Sequence, residues 1–238
     1  MPSFEILLPL GAIAFYLFDS AALLSTRELL FERQRKRWQV LGGSDFLLLG
    51  RRPVLPNPLT PYRSIFLISW HDDVNAAESS TATIDAFTRA LRPIQWIVSL
   101  LLALLLVAIP MASLLYGAAE SLLVLFAVFY LLMLVALAIV VRRRKVLSLS
   151  GKECFALAMH ILLCAPFAVN LVRRLSLRWK LPATPLQFAN SNFDASARSK
   201  TIELIKSRVD QTLQTLDPET PRAVRLIEFR QRLEGSNT

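Results

Sequence analysis

Four stretches of the chain read as continuous apolar runs, and polar segments rich in turn residues separate them. Ile6 to Phe18 is uncharged; Asp19 and Ser20 interrupt it, and Ala21 to Leu24 resumes the pattern. Pro93 to Ala119 supplies 27 uncharged residues and Ser121 to Val141 supplies 21. A helix of about 20 residues crosses a hydrocarbon core of ~30 Å. The pattern therefore predicts a first span over Phe4 to Leu24 and a tight helical hairpin over 93–141, turned at Tyr116-Gly117-Ala118-Ala119-Glu120. The fourth run, Cys154 to Val172, has 19 residues and contains Pro166. It is long enough to span, and equally suited to a re-entrant helix bent at that proline.

The polar segments carry other signals. In residues 25–92, Thr26 to Arg37 has helical composition and is expected to continue from the first span. Trp38 to Val40, Phe46 to Leu49 and Ile65 to Trp70 are short β-prone runs, punctuated by Gly42-Gly43-Ser44-Asp45 and Gly50-Arg51-Arg52-Pro53. Pro56-Asn57-Pro58-Leu59-Thr60-Pro61 excludes regular helix and central strand. His71 to Thr83 reads as loop, and Thr83 to Leu91 as a short helix ended by Pro93. Residues 181–197 form a linker with Pro182 and Pro185. Ser199 to Leu216 places Ile202, Ile205, Val209, Leu213 and Leu216 on one helical face. A second helix, Arg222 to Leu233, follows the break at Asp217 to Pro221, with Val224, Ile227 and Leu233 on one side.

These elements define an all-α integral membrane protein. It has three transmembrane helices, a fourth apolar segment that is re-entrant or spanning, a small cytoplasmic β-element in the first loop, and a C-terminal amphipathic helical hairpin. The divisions fall at 1–24, 25–92, 93–141, 142–180 and 181–238. A hydrophobic content of 54% and a mean hydropathy of +0.45 exclude an ordinary soluble domain.

Charge orients the elements. None of the 27 Lys and Arg lies in 1–26 or between Pro93 and Val141. Ten fall between Arg27 and Arg92, five between Arg142 and Lys152, and twelve from Arg173 onward. Basic segments are retained on the cytoplasmic side. A fourth segment that spanned would put the last twelve outside, so the bias favours the re-entrant form. The bulk of the polar mass is then cytoplasmic. Arg outnumbers Lys 21 to 6 and the loops are short, which suits a multi-pass protein of a bacterial inner membrane. With a net charge of +9 and no nucleic-acid-docking motif, the expected partners are anionic headgroups rather than nucleic acid. Arg33, Arg35, Lys36 and Arg37 contribute to a basic collar, with Arg51 and Arg52. Arg142, Arg143, Arg144 and Lys145 extend it, as do Arg173 and Arg174. Trp38, Trp70, Trp96 and Trp179 sit near the expected boundaries, where indole anchoring is natural.

Candidate chemistry is sparse. Asp19 is a carboxylate within a span, which suits either a proton or cation site or a pair with a basic group such as Arg27. Glu153, His160 and Cys164, at i, i+7 and i+11, share one helical stripe. Three residues over three turns do not converge on one ion unaided, and the alternative is an interfacial Glu, a packed His and a small apolar Cys. His71-Asp72-Asp73 lacks a second nearby histidine, and Gly42-Gly43-Ser44-Asp45 lacks the spacing and Lys of a phosphate loop. No metal or cofactor is expected. Cys154 and Cys164 are too far apart along a helix for a disulfide.

Three functions remain open. The first is a non-enzymatic scaffold or accessory subunit of an envelope complex, bound to a membrane-protein partner or to copies of itself. The second is a small transporter or lipid-handling protein using Asp19, His160 and Asn170. The third is an enzyme acting at the cytoplasmic face through Asp45, Asp72 or Asp73.

Overall fold

A helix that is apolar on every side must be buried in protein or face lipid. The computed structural model shows which helices meet that condition. It describes residues 4–34, 37–44, 46–69, 81–115, 119–179, 181, 184–217 and 219–235. The chain divides into two units: Met1–Ala22, Leu55–Ser64 and Thr81–Trp179 in the first, and Leu23–Val54, Ile65–Ser80 and Lys180–Thr238 in the second.

The first unit is helical. Helix α1 (Phe4–Ser20) is followed, after the intervening unit, by α2 (Thr81–Ala103), a π-helical stretch (Leu104–Ala108) and α3 (Ile109–Leu115). Helix α4 (Ala119–Arg142) returns against α2. On α2, Ile84, Phe87, Leu91, Ile94, Val98 and Leu101 form a fully buried stripe at helical spacing. The opposite faces stay apolar, as at Leu100, Leu123, Leu131 and Leu134. Only 28% of the most apolar window of Glu120–Arg142 is buried. Two stretches, Ala82–Leu115 and Glu120–Arg142, are long and apolar enough to cross a membrane.

Two expectations are corrected in this unit, for the first span and for Pro93, while a bend near Pro166 is one of the two alternatives for the fourth run. Helix α1 is 17 residues, about 25 Å, and ends at Ser20 short of a full span. The fourth run is broken: α5 (Gly151–Leu163) stops at Cys164, a 3-10 turn (Ala165–Asn170) carries Pro166, and α6 (Leu171–Arg178) follows. Pro93 does not end the short helix before it, because α2 runs through it. A proline removes one backbone donor, and a neighbouring side chain can partly restore the lost bonding. Arg143 Nη1 donates to the Ala90 carbonyl at 3.0 Å, beside the site of that loss.

The second unit overturns the all-α assignment: helices and two small antiparallel sheets together make a mixed α/β structure. Strands β1 (Ala22–Leu24) and β4 (Arg52–Val54) pair, and β3 (Arg37–Leu41), β2 (Glu28–Gln34) and β5 (Ile65–Ser69) form a sheet in that order. Phe31 lies opposite Val40 on one side and Phe66 on the other. The helical composition of 26–37 yields to this pairing, because β2 is the central strand and buries Leu29, Leu30, Phe31 and Glu32 in succession. A strand covered on both faces shows no alternation, so its pattern does not announce a strand. Trp38 to Val40 lies within β3, and Ile65 to Ser69 is β5. Trp70 and the following His71-Asp72-Asp73 fall outside the described residues. The expected linker contains α7 (Pro185–Asn192), started by a capping box between Thr184 and Gln187. Helices α8 (Ala195–Thr215) and α9 (Pro221–Gly235) pack on each other.

Candidate functional site

In the helical unit, half-buried Asp19 lies beside buried Ser20 and Asn170. Arg174, on α6, forms an ion pair with it through Nη2 and Oδ1, and Nε lies 3.2 Å from Oδ2. Asn170 donates to Asp19 Oδ2 at 3.0 Å and to Ser20 Oγ at 3.0 Å. The Arg174 guanidinium also lies 4.5 Å over the Phe167 ring. The break at Pro166 is what brings Asn170 and Arg174 to the end of α1. Asp19 is thus a member of a closed pair, and its partner is Arg174 rather than Arg27.

The neighbouring Arg173 is 3% exposed and donates to the backbone carbonyls of Asn57 and Thr60. Those carbonyls belong to the proline-rich segment, where prolines remove the N–H groups and leave acceptors in excess. Tyr16 Oη donates to Pro58 O in the same region. Arg52 and Arg208 have the same task in the second unit. Arg52 donates to Ser44 O at 2.9 Å and to Gln211 Oε1, and Arg208 donates to the carbonyls of Glu28 and Gly42. Burial, with the Arg52 charge nearby, lowers the Arg208 pKa to about 10.

The collar therefore divides. Arg37, Arg51, Arg142, Arg144 and Lys145 are exposed. Arg33 is half-buried with its guanidinium 5.5 Å from the Trp38 ring centroid, and Arg143 is turned to Ala90 O. Arg52, Arg173 and Arg174 hold the fold, and Arg35 and Lys36 lie outside the described residues, as does Asp45. Trp96 is exposed on α2, while Trp179 stacks on Phe87 at 4.3 Å.

The stripe of Glu153, His160 and Cys164 does not gather. Glu153 closes a capping box with Ser150, His160 is exposed, and Cys164 caps the end of α5. Among the described residues no three His, Cys, Asp or Glu are grouped to hold a metal. Burial pushes the Cys164 thiol up, and Asp19 adds to the shift, so the neutral thiol is favoured. The hydrogen bond from the Ser150 N–H, with the Ser150 side chain beside it, holds Glu153 below the usual carboxylate range. A lowered folded-state pKa means that this contribution is present above the ordinary carboxyl pKa and is lost as pH falls through Glu153's own lower value. Ser150→Ala is expected to return Glu153 part of the way to the ordinary range. Fraying of the first turn of α5 should then begin at higher pH, as followed by NMR titration of the Glu153 side chain.

Two features were not visible in the pattern. One is an apolar cavity of about 520 Å³ in the helical unit, lined by Leu7 and Phe15 of α1, Leu105 of the π-helical stretch, Ile109 of α3, Tyr130 of α4 and Cys164. The other is a hairpin among the described residues of 44–53. Leu48 and Arg51 exchange backbone hydrogen bonds of 2.7 and 3.0 Å around Leu49 and Gly50. Both central residues have positive φ, +52° and +74°, as in a type I′ turn. A leucine there costs about 1–2 kcal/mol. The only signal in the sequence was the Gly50-Arg51-Arg52-Pro53 punctuation, which marks a turn and not its conformation.

No protein-family model matches the chain, and no curated protein or solved structure is significantly similar to it. The geometry alone supports a helical unit with two stretches long and apolar enough to cross a membrane, and a mixed α/β unit.

Proposed function

We propose that the chain is a non-enzymatic, two-pass membrane protein serving as a scaffold or accessory subunit of a bacterial inner-membrane complex. The observation that carries this reading is the closed pair at Asp19. The carboxylate that an ion or proton path would require is instead engaged by Arg174 and Asn170. The other buried guanidinium groups, at Arg52, Arg173 and Arg208, likewise bind carbonyl oxygens of the chain itself. Orientation follows from charge. Arg89 and Arg92 precede the apolar hairpin and Arg142 to Lys145 follow it, with no Lys or Arg between, so both flanks belong on the cytoplasmic side. The expected partners are anionic headgroups and a second membrane protein or another copy of the chain.

A lipid-handling role is the second reading, favoured by the apolar cavity beside Cys164. Its volume lies within the range of small-molecule sites. A tagged pull-down from native membranes in mild detergent separates the two. A stoichiometric protein partner is the result expected. Enrichment of one lipid without a protein partner transfers the assignment to lipid handling, and turnover by the purified protein alone in lipid removes the non-enzymatic assignment.

A further inference from the structure

We infer that the hairpin tip Phe46-Leu47-Leu48-Leu49 is a membrane-inserting finger of the sheet unit. All four side chains are exposed, Leu49 by 92%. Single exposed apolar residues are ordinary, but four in succession on one tip are not. The tip is held out by its base. Ser44 N–H donates to Pro53 O at 3.0 Å, and buried Arg52 ties Ser44 O to Gln211 on α8. Gly43, at φ +82°, admits the close approach of Val54, because a Cβ there would lie 2.8 Å from Val54 Cγ2. A Cβ on Gly50 would meet nothing within 4 Å, so the tip itself is open.

The occupant that fits is a lipid bilayer with anionic headgroups. Exposed Arg51 stands at the edge of the apolar tip, and no Asp or Glu occurs from residue 46 to 69. That order places leucines at the acyl boundary and the guanidinium at the phosphates. The same chain carries two stretches long and apolar enough to cross a bilayer. This inference rests on the membrane assignment above. Leu49 also shows a choice of side chain against backbone: Asn-Gly is the preferred pair for this turn, yet the position holds a strained leucine.

The test uses the full chain with Cys154→Ala and Cys164→Ala, reconstituted in phosphatidylcholine–phosphatidylglycerol vesicles with brominated acyl chains. An environment-sensitive dye is attached through Leu47→Cys, or through Leu123→Cys on α4 as the reference. Bromine quenching at both positions is the expected result. Bromine quenching at 123 with iodide quenching at 47 overturns the finger and leaves the membrane assignment standing. Shielding of 47 from both quenchers means a protein covers the tip, and also overturns it. No bromine quenching at 123 removes the membrane assignment and the finger with it. Adding Leu49→Asn should keep or raise the melting temperature while lowering the inserted-to-free ratio of the tip about tenfold. Unchanged quenching at 47 in that variant counts against insertion.

Discussion

Arg174→Ala is expected to destabilise the helical unit by about 3 kcal/mol, the lower end of the range for breaking a buried ion pair. The side chains of Arg174 and Asp19 are 19% and 11% exposed, so truncation leaves a largely desolvated carboxylate with Asn170 as its remaining donor. Asp19→Asn should cost less, about 1–2 kcal/mol, because the amide still accepts hydrogen bonds and Arg174 keeps its place over Phe167. The double variant Asp19→Asn/Arg174→Met should recover part of the loss, since no charge is left unpaired. Thermal unfolding in detergent micelles reads all three. An Asp19→Asn variant less stable than Arg174→Ala would show that the carboxylate has a stabilising partner beyond Arg174 and Asn170.

Phe31→Ala is expected to cost the sheet unit about 3–5 kcal/mol, the range for removing a buried phenyl ring. Phe31 is fully buried on the central strand. Its ring stacks on Phe188 at 5.3 Å and meets Phe193 edge-on at 5.2 Å, and Phe188 meets Trp38 at 4.9 Å. The substitution empties the point where the sheet and α7 share a core. Denaturant unfolding followed by near-ultraviolet circular dichroism should show the loss, with Phe31→Leu costing less because it fills part of the cavity. Equal stability of Phe31→Ala and the parent would show that α7 does not depend on this ring.

The elements governed by local pattern were legible. Ser121 to Val141 becomes α4, the break at 217–221 separates α8 from α9, and Ile202, Ile205 and Val209 are buried as their spacing requires. Where the apolar residues of a helix occupy two faces, spacing does not choose between them. On α9 the buried face is Ala223, Leu226 and Leu233, while Val224 and Ile227 are exposed. Strand β2 was hidden because a central strand loses alternation. The basic residues were hidden for another reason. A buried arginine is decided by carbonyls that the fold brings from far away, 180 residues in the case of Arg208 and Glu28. Counting Arg51 and Arg52 together as surface charge missed that one faces solvent and the other fixes the hairpin.

The interleaving of the two units also has a consequence for biosynthesis. Strands β1 to β5 leave the ribosome early, yet the groups that complete their core, Phe188 and Arg208, are made after both long apolar helices. At about 5–20 residues per second, the 180 residues between Glu28 and Arg208 take roughly 10–40 s. Until residue 185 is made the nascent sheet has neither α7 nor α8, whereas the two long apolar stretches are complete by residue 142. A ribosome stalled before residue 188 would thus carry helices competent for the bilayer and a sheet still dependent on chaperones.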